Sequence, residues 1–280
     1  MKTAIALGTF DGLHKGHIAV LNSALLSDYT PVAVTFIKPP KSYFSGDIGL
    51  LMSPEFRKAE LIKMGFDRVH FIEFEEFRNL EATAFLDYLK DEFDPALILC
   101  GFNYRFGKGG KGDTEFLSKY CDENGIEVKV VSAVTFDGEV VSSTNIRGAL
   151  LNGDLEHYKK MCGRNFSFSA PVVHGDERGR TIGFPTANQY YPKNLAKVKF
   201  GVYKSQVTVD GEKYRGMTNI GIRPTFLSND ILCETYILDF SEQIYAKEVK
   251  LELLEFIREE RKFSSIDELK SAIENDVEKC

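Results

Sequence analysis

Five short apolar runs separated by stretches of helical periodicity fill the first half of the chain, and that alternation leaves few folds open. Residues 2–7 (KTAIAL), 31–36 (PVAVTF), 68–72 (RVHFI), 96–100 (ALILC) and 127–132 (EVKVVS) read as strands. Residues 16–26, 54–64, 81–92 and 113–124 read as helices between them. Ser53 is a good N-cap with Pro54 at the first helical position, and Gly65 and Gly125 stand where left-handed caps belong. Strands that alternate with helices imply a parallel sheet with helices on its faces. Ligands of such sheets gather at the carboxyl ends of the strands.

The second half has a different rhythm. Residues 142–162 read as a helical connection, and beyond Gly163 the helical period largely disappears. Residues 166–173, 200–209, 213–220, 232–239 and 247–256 are strand-like, with the period of two visible at Val207, Val209, Leu251 and Leu253. Asp210-Gly211 marks a hairpin. Ile266, Leu269, Ile273 and Val277 form one face of a final helix capped by Ser264 or Ser265. An antiparallel sheet or barrel with a C-terminal helix is therefore expected, with a boundary near residues 150–163. The full length of 280 residues suits about two domains.

Three elements of the first half carry chemistry. Gly8-Thr9-Phe10-Asp11-Gly12-Leu13-His14-Lys15-Gly16-His17 follows a strand and opens a helix. Its glycines permit a tight turn, the helix start offers N–H groups to an anion, and two histidines three apart share one side of the first turn. The turn with two incidental surface histidines is about equally good on this motif alone. The loop Gly101-Phe102-Asn103-Tyr104-Arg105-Phe106-Gly107 mixes aromatics and cations, which suits a planar ring with phosphates; a solvated loop is the bland alternative. In Ser142-Ser143-Thr144-Asn145-Ile146-Arg147, Ser143 or Thr144 caps a helix, and Arg147 near a helix start is more comfortable beside an anion.

The densest signal lies later. In His174-Gly175-Asp176-Glu177-Arg178-Gly179-Arg180-Thr181-Ile182-Gly183-Phe184-Pro185-Thr186-Ala187-Asn188 a glycine loop precedes a rigid corner. The Thr186 hydroxyl and Asn188 amide are oxygen donors of the kind Mg²⁺ uses alongside phosphate, although local turn satisfaction explains the P-T-A-N tetrapeptide as well. Glu234 opens an apolar, aromatic strand. An acid at a strand mouth can serve as a general base, or as an edge charge that blocks aggregation.

Taken together, and in this order, the H-x-G-H turn, the G-F-N-Y-R-F-G loop and the S-S-T-x-I-R element resemble the nucleotidyltransferase module of the prokaryotic bifunctional riboflavin kinase/FAD synthetase family. The glycine loop, P-T-A-N and Glu234 series resembles the riboflavin kinase module of the same enzymes. The resemblance implies an α/β nucleotidyltransferase domain with a Rossmann-like parallel sheet over residues 1–160, and an antiparallel β-barrel kinase domain with a C-terminal helix over 163–280. It implies phosphorylation of riboflavin to FMN by ATP, then adenylylation of FMN to FAD with release of pyrophosphate, with Mg²⁺ as cofactor.

By the same resemblance Gly8, Phe10, Asp11, His14, His17, Ser143, Thr144 and Arg147 meet ATP in the first module, and Asn103 and Arg105 face the flavin. In the second, Gly175, Gly183, Thr186 and Asn188 hold the nucleotide, with Thr186 and Asn188 on the metal. Glu234 is the base and Arg258 borders the flavin, while the 175–185 loop closes over the nucleotide. One segment departs from the family: where Thr-Phe-Asp-Pro-His-Pro is usual, this chain has Thr35-Phe36-Ile37-Lys38-Pro39-Pro40. A kinase with a weak or inactive adenylyltransferase domain is thus the alternative reading. A transferase with another acceptor and a flavin carrier that needs neither Glu234 nor the histidines are the further rivals.

Charge and cysteine usage set the context. Lys and Arg number 35 against 41 Asp and Glu, a formal net charge of −6, which argues against a nucleic-acid partner. Phosphates must then meet local cations such as Lys15, Arg105, Lys108, Lys111 and Arg147. No apolar run approaches the roughly 18 residues of a membrane span, and the N-terminal apolar stretch is short for a signal peptide. Five cysteines without a Cys-x-x-Cys fit reduced thiols and a cytoplasmic setting.

Overall fold

The computed structural model describes residues 2–44, 46, 48–175, 178–224 and 229–279. They form two compact units, residues 1–145 and 146–280.

The first unit is built on β1 (Thr3–Leu7), β2 (Thr30–Phe36), β3 (Arg68–Ile72), β4 (Pro95–Gly101) and β5 (Glu127–Val131). All neighbours pair in parallel, in the order β3-β2-β1-β4-β5. α1 (Lys15–Leu25), α2 (Pro54–Met64), a one-turn α3 (Phe74–Phe77), α4 (Ala82–Phe93) and α5 (Thr114–Asn124) connect them. The central β1 shows why the sheet is covered on both faces. Ile5 and Leu7 join a core with Phe85, Leu86 and Leu89 of α4 and Leu117 of α5. Ala4 and Ala6 point the other way, toward Leu21 and Ala24 of α1 and Leu61 of α2. Ser53 caps α2 and Asp113 caps α5 through their side-chain oxygens, and Gly65 and Gly125 close those helices in left-handed conformation, as their positions indicate. A two-stranded ribbon, β6 (Thr135–Phe136) with β7 (Glu139–Val140), follows.

The expected helix over 142–162 is two helices, α6 (Ser143–Asn152) and α7 (Leu155–Cys162). Gly153, at φ +74°, ends the first, and Asp154 caps the second by accepting from the His157 N–H.

The second unit is a closed barrel in the order β10-β11-β12-β9-β8-β13. Its strands are β8 (Phe166–Val173), β9 (Thr186–Tyr190), β10 (Gly201–Val209), β11 (Glu212–Pro224), β12 (Asn229–Ile237) and β13 (Glu248–Arg258), with a short α8 (Arg178–Thr181) and the final α9 (Ile266–Val277). β10 alternates buried with half-buried positions, the mark of a strand with one face inward. Asp210 and Gly211 both take positive φ in the expected hairpin. Ser265, not Ser264, caps α9.

One strand is a correction. Thr186–Tyr190 is not a rigid corner but β9, paired with β12 and β8. Buried Gln189 stitches the barrel there, donating from Nε2 to the carbonyls of Ala170 on β8 and Val249 on β13. Cys100, Cys121 and Cys233 are free thiols and, like Cys162, are buried; Cys280 lies outside the described residues. Burial pushes the Cys100 thiol up to about 12 and Cys121 up to about 11, so both are protonated near neutral pH. Among the described residues no helix is long and apolar enough to cross a membrane.

Candidate active sites

In the first unit, chain order reverses on either side of β1, so β1 and β4 flank the switch point at which parallel sheets bind ligands. The H-x-G-H turn leaves β1 and the 101–113 loop leaves β4, and the two motifs meet this rule. The turn is tightly built. Phe10 and Leu13 take φ +46° and +43° with side chains almost wholly buried. Gly8 has no room for a side chain, since a Cβ there would lie 2.7 Å from the Phe10 ring.

His14 is the N-cap of α1. Its Nδ1 accepts from the His17 backbone N–H at 3.3 Å, which leaves the proton of the neutral ring on Nε2 as a donor. The two imidazoles stack with centroids 3.5 Å apart, and the Phe10 ring meets His17 edge-on at 5.5 Å. The pair is thus held as one block at the start of a helix.

Asp11 works as scaffold. Its buried Oδ1 accepts from the N–H groups of Leu51 and Met52 at 2.9 and 3.3 Å, and its carbonyl accepts from Ser143 Oγ at 3.3 Å. These bonds brace the turn that is expected to meet ATP. The Phe10 side chain is likewise buried. Ser142, rather than Ser143 or Thr144, caps α6, accepting from the Asn145 N–H at 3.2 Å. Ser143 is left to tie that helix start to the turn, and Arg147 follows four residues later on α6.

Beyond β4, Asn103 and Arg105 are exposed, and Arg105 pairs with Asp113 at 3.3 Å. Tyr104 is half-buried against the core, stacked on Phe106 at 5.7 Å, and burial raises its hydroxyl well above the usual range. Aromatic lining comes from elsewhere. A cavity of about 570 Å³ is lined by Phe36, Phe44, Phe74 and Phe77 together with Arg105 and Phe106. Asn103 is not among its described lining residues. Phe74 and Phe77 belong to the unforeseen α3, and Pro40 of the divergent 37–40 segment also borders this cavity.

Arg57 is the residue the sequence hid. It sits on α2 with no exposed surface, donating to the carbonyls of Thr9 (2.7 Å), Phe36 (2.7 Å) and Ile37 (3.0 Å). Lys and Arg on a polar helix usually signal a solvated face, and nothing in the local pattern separates Arg57 from Lys58 or Lys63.

In the second unit, the barrel places three polar residues side by side on adjacent strands. Asn219 of β11 faces Glu234 of β12, which faces Asn188 of β9. Glu234 is therefore a mid-barrel residue with neighbours on both sides, and the edge-charge reading does not apply. Glu234 is exposed toward a cavity of about 620 Å³ that also includes Thr186, Asn219, Tyr236 and Arg258, and Leu269 and Ile273 of α9. Arg258 reaches it while held by Asp276 of α9, at 2.8 Å from Nε and 2.7 Å from an Nη nitrogen. A second carboxylate, Glu260, lines the same cavity and accepts from Asn219 Nδ2 at 3.1 Å.

A smaller cavity of about 250 Å³ lies on the other side of Thr186, with Ala187, Asn188, Phe240 and Tyr245 in its wall. The His174 ring stacks on Tyr245 at 3.9 Å. The Asn188 side chain is oriented by its Nδ2, which donates to the Thr186 carbonyl at 3.1 Å. Its buried Oδ1 has no partner among the described residues. Gly175 lies against that amide so closely that a Cβ would stand 2.4 Å from Nδ2. Gly183, at φ +92°, stands in the segment before β9. Asp176 and Glu177 of the expected closing loop lie outside the described residues. No group of three or more His, Cys, Asp and Glu side chains converges as a metal site among the described residues.

Comparison with known proteins gives the same division. A riboflavin kinase family model matches residues 162–280 and an FAD synthetase family model matches residues 1–145. The bifunctional riboflavin kinase/FMN adenylyltransferase of Listeria monocytogenes is 35% identical, covering 97% of this chain and 89% of its own. The Bacillus subtilis protein of the same name is 32% identical over 100% of this chain and 92% of its own. A solved structure described as a macrolide-efflux protein from Streptococcus pneumoniae superposes with a TM-score of 0.91 at 32% identity, over 99% of this chain and 93% of that one.

Proposed function

Because the chain belongs to the bifunctional riboflavin kinase/FMN adenylyltransferase family, we propose which of its residues carry the two reactions. The chain phosphorylates riboflavin to FMN with ATP and adenylylates FMN to FAD with release of pyrophosphate.

The kinase assignment rests on one observation: Thr186 is common to two cavities. The larger has apolar walls and the Glu234 carboxylate, and takes the flavin. The smaller contains Asn188 and takes the nucleotide. Thr186 then stands where the ribityl chain meets the terminal phosphate. Glu234 accepts the proton of the ribityl 5′-hydroxyl as its oxygen bonds to the γ-phosphorus and the bond to the ADP oxygen breaks. The orphan Oδ1 of Asn188 and the Thr186 hydroxyl are hard oxygen donors that would hold a divalent cation. Mg²⁺ held there supplies charge neutralisation on the phosphates. Gly175, lacking a side chain, can lie directly against the Asn188 amide, and Arg258 borders the flavin.

In the first unit the FMN phosphate attacks the α-phosphorus of ATP. A bond forms from a phosphate oxygen to that phosphorus, and the bond to the pyrophosphate oxygen breaks. The nucleophile is already ionised, so no base is needed; placement and electrostatics suffice. The His14–His17 block and the α1 N–H groups hold the triphosphate, and the aromatic cavity with Arg105 receives the flavin. Small-molecule chemistry of this kind needs neither nucleic acid nor membrane and suits a cytoplasmic enzyme.

Incubating the full chain with riboflavin, ATP and Mg²⁺, and separately with FMN, ATP and Mg²⁺, tests the assignment of both units. FMN and FAD from the first tube and FAD from the second are expected. FMN alone would point to a silent first unit, with Ile37–Pro40 as the first place to look.

A further inference from the structure

We propose that Arg57 sets the geometry of adenylyl transfer by tying the nucleotide turn to the wall of the aromatic cavity. Its three acceptors belong to two segments. Thr9 lies inside the H-x-G-H turn, one residue before the ring that braces His17. Phe36 lines the aromatic cavity, and Ile37 begins the segment that departs from the family pattern. All three carbonyls lie at or just past the carboxyl ends of β1 and β2, where the ladder between those strands has run out: its last paired residues are Leu7 and Val34. Thr35 Oγ1 donates to the same Thr9 carbonyl at 2.8 Å, so the turn is held from two directions.

Only a guanidinium suits this place. Its planar fork reaches acceptors on diverging segments at once, whereas an ammonium is a point charge on a flexible stem. The group lies over the Phe71 ring at 5.2 Å. Burial lowers its pKa to about 10, against the opposing pull of Asp11. It therefore stays charged at neutral pH, and its hydrogen bonds are charge-assisted and short. A fixed cation beneath a turn that binds polyphosphate also adds favourable potential there. Arg57 touches neither substrate in this arrangement. It is a positioning residue, and both reactants depend on it because it joins their two binding segments.

The proposal rests on the adenylyl-transfer reading of the first unit, and the kinase unit supplies an internal control. Arg57→Lys and Arg57→Met are made in the full chain, and kcat and KM for FMN and ATP are measured per folded molecule, with the folded fraction taken from near-UV circular dichroism. Arg57→Lys is expected to lower the FAD-forming kcat about 10-fold and to raise KM for FMN, with a larger loss in Arg57→Met, because small misplacements of reactants cost heavily. Riboflavin phosphorylation should stay within about twofold of the parent chain. FAD-forming kinetics within about twofold of the parent in both folded variants, or a loss accounted for entirely by the unfolded fraction, would overturn the proposal. A parent chain that makes FMN but no FAD would instead overturn the reading on which it stands.

Discussion

Glu234 and Asn188 stand directly opposite each other across the β12–β9 ladder. A paired register brings two side chains on one face to roughly 5 Å between their Cβ atoms. The proposed base and the proposed metal ligand are thus fixed by backbone hydrogen bonds rather than by loops. In Glu234→Gln the barrel should keep its fold, since the residue is exposed and its neighbours remain paired. FMN formation should fall about 100-fold or more in kcat, the usual range for loss of a general base. FAD formation from supplied FMN should be unchanged, and a Glu234→Gln chain that makes FMN at the parent rate would remove Glu234 as the base.

Asn188 makes a separable prediction. Its Oδ1 is buried and lacks a partner among the described residues, so the atom gains most from a bound cation. Asn188→Ala should raise the Mg²⁺ concentration needed for half-maximal kinase rate by about 10-fold, while riboflavin affinity, read from quenching of flavin fluorescence, changes little. An unaltered Mg²⁺ titration would remove Asn188 from the metal site.

Asp11 supports the turn. In Asp11→Ala the N–H groups of Leu51 and Met52 lose their buried acceptor. Each unsatisfied group costs about 1–3 kcal/mol, so the first unit should lose roughly 3 kcal/mol in denaturant titration. Asp11→Asn keeps an acceptor oxygen and should lose only about a third of that. Equal losses in both variants would show that the charge, and not the acceptor, matters.

His70 gives the first unit an acid-sensitive term. Burial lowers its pKa below the ordinary 6.5, Arg68 adds to the shift, and Glu92 opposes it. The ring also shares a 2.9 Å hydrogen bond with Tyr88. A depressed base binds its proton more readily in the unfolded chain, so its stabilising contribution is complete above the unfolded pKa and declines as pH falls through and below about 6.5. The melting temperature of the first unit should drop between about pH 7.5 and pH 5.5, and His70→Gln should flatten that slope. A parent melt that is level across this range would contradict the assignment.

The sheet, the barrel and the helix caps were legible because periodicity and capping are local signals. Leu7 followed by Gly8, Ser53 before Pro54, and Asp210-Gly211 each announce their structure within a few residues. β9 was missed because Thr186–Tyr190 is short, polar and preceded by Pro185, and its strand character comes from pairing with β12 and β8. Arg57 and the Phe36–Phe44–Phe74–Phe77 lining were missed for a related reason. Each owes its role to segments distant in sequence, and the amphipathic reading of α2 treats every cation alike. The bonds by which Asp11 braces the turn were invisible for the same reason, since Leu51 and Met52 lie about forty residues away in sequence.

The pair Arg258–Asp276 joins the last strand to the last helix, and its consequence is kinetic. Asp276 is nearly wholly buried and Arg258 only slightly exposed, while Leu269 and Ile273 of the same helix form part of the cavity wall. In Asp276→Asn the Arg258 guanidinium loses its ionic partner and the tether between strand and helix weakens. Loss of one member of a buried pair costs about 3–5 kcal/mol when both are fully enclosed, and less here because the arginine retains some solvent. In the proposed arrangement this helix wall meets the flavin ring, far from the reacting hydroxyl, and so binds ground and transition states alike. Loss of such uniform binding raises KM and leaves kcat nearly constant. Asp276→Asn should therefore raise KM for riboflavin about 10-fold with kcat within about twofold of the parent. A fall in kcat at unchanged KM would mean that the pair acts on the reacting atoms through Glu234 or Thr186, and that α9 is not the wall of the flavin site.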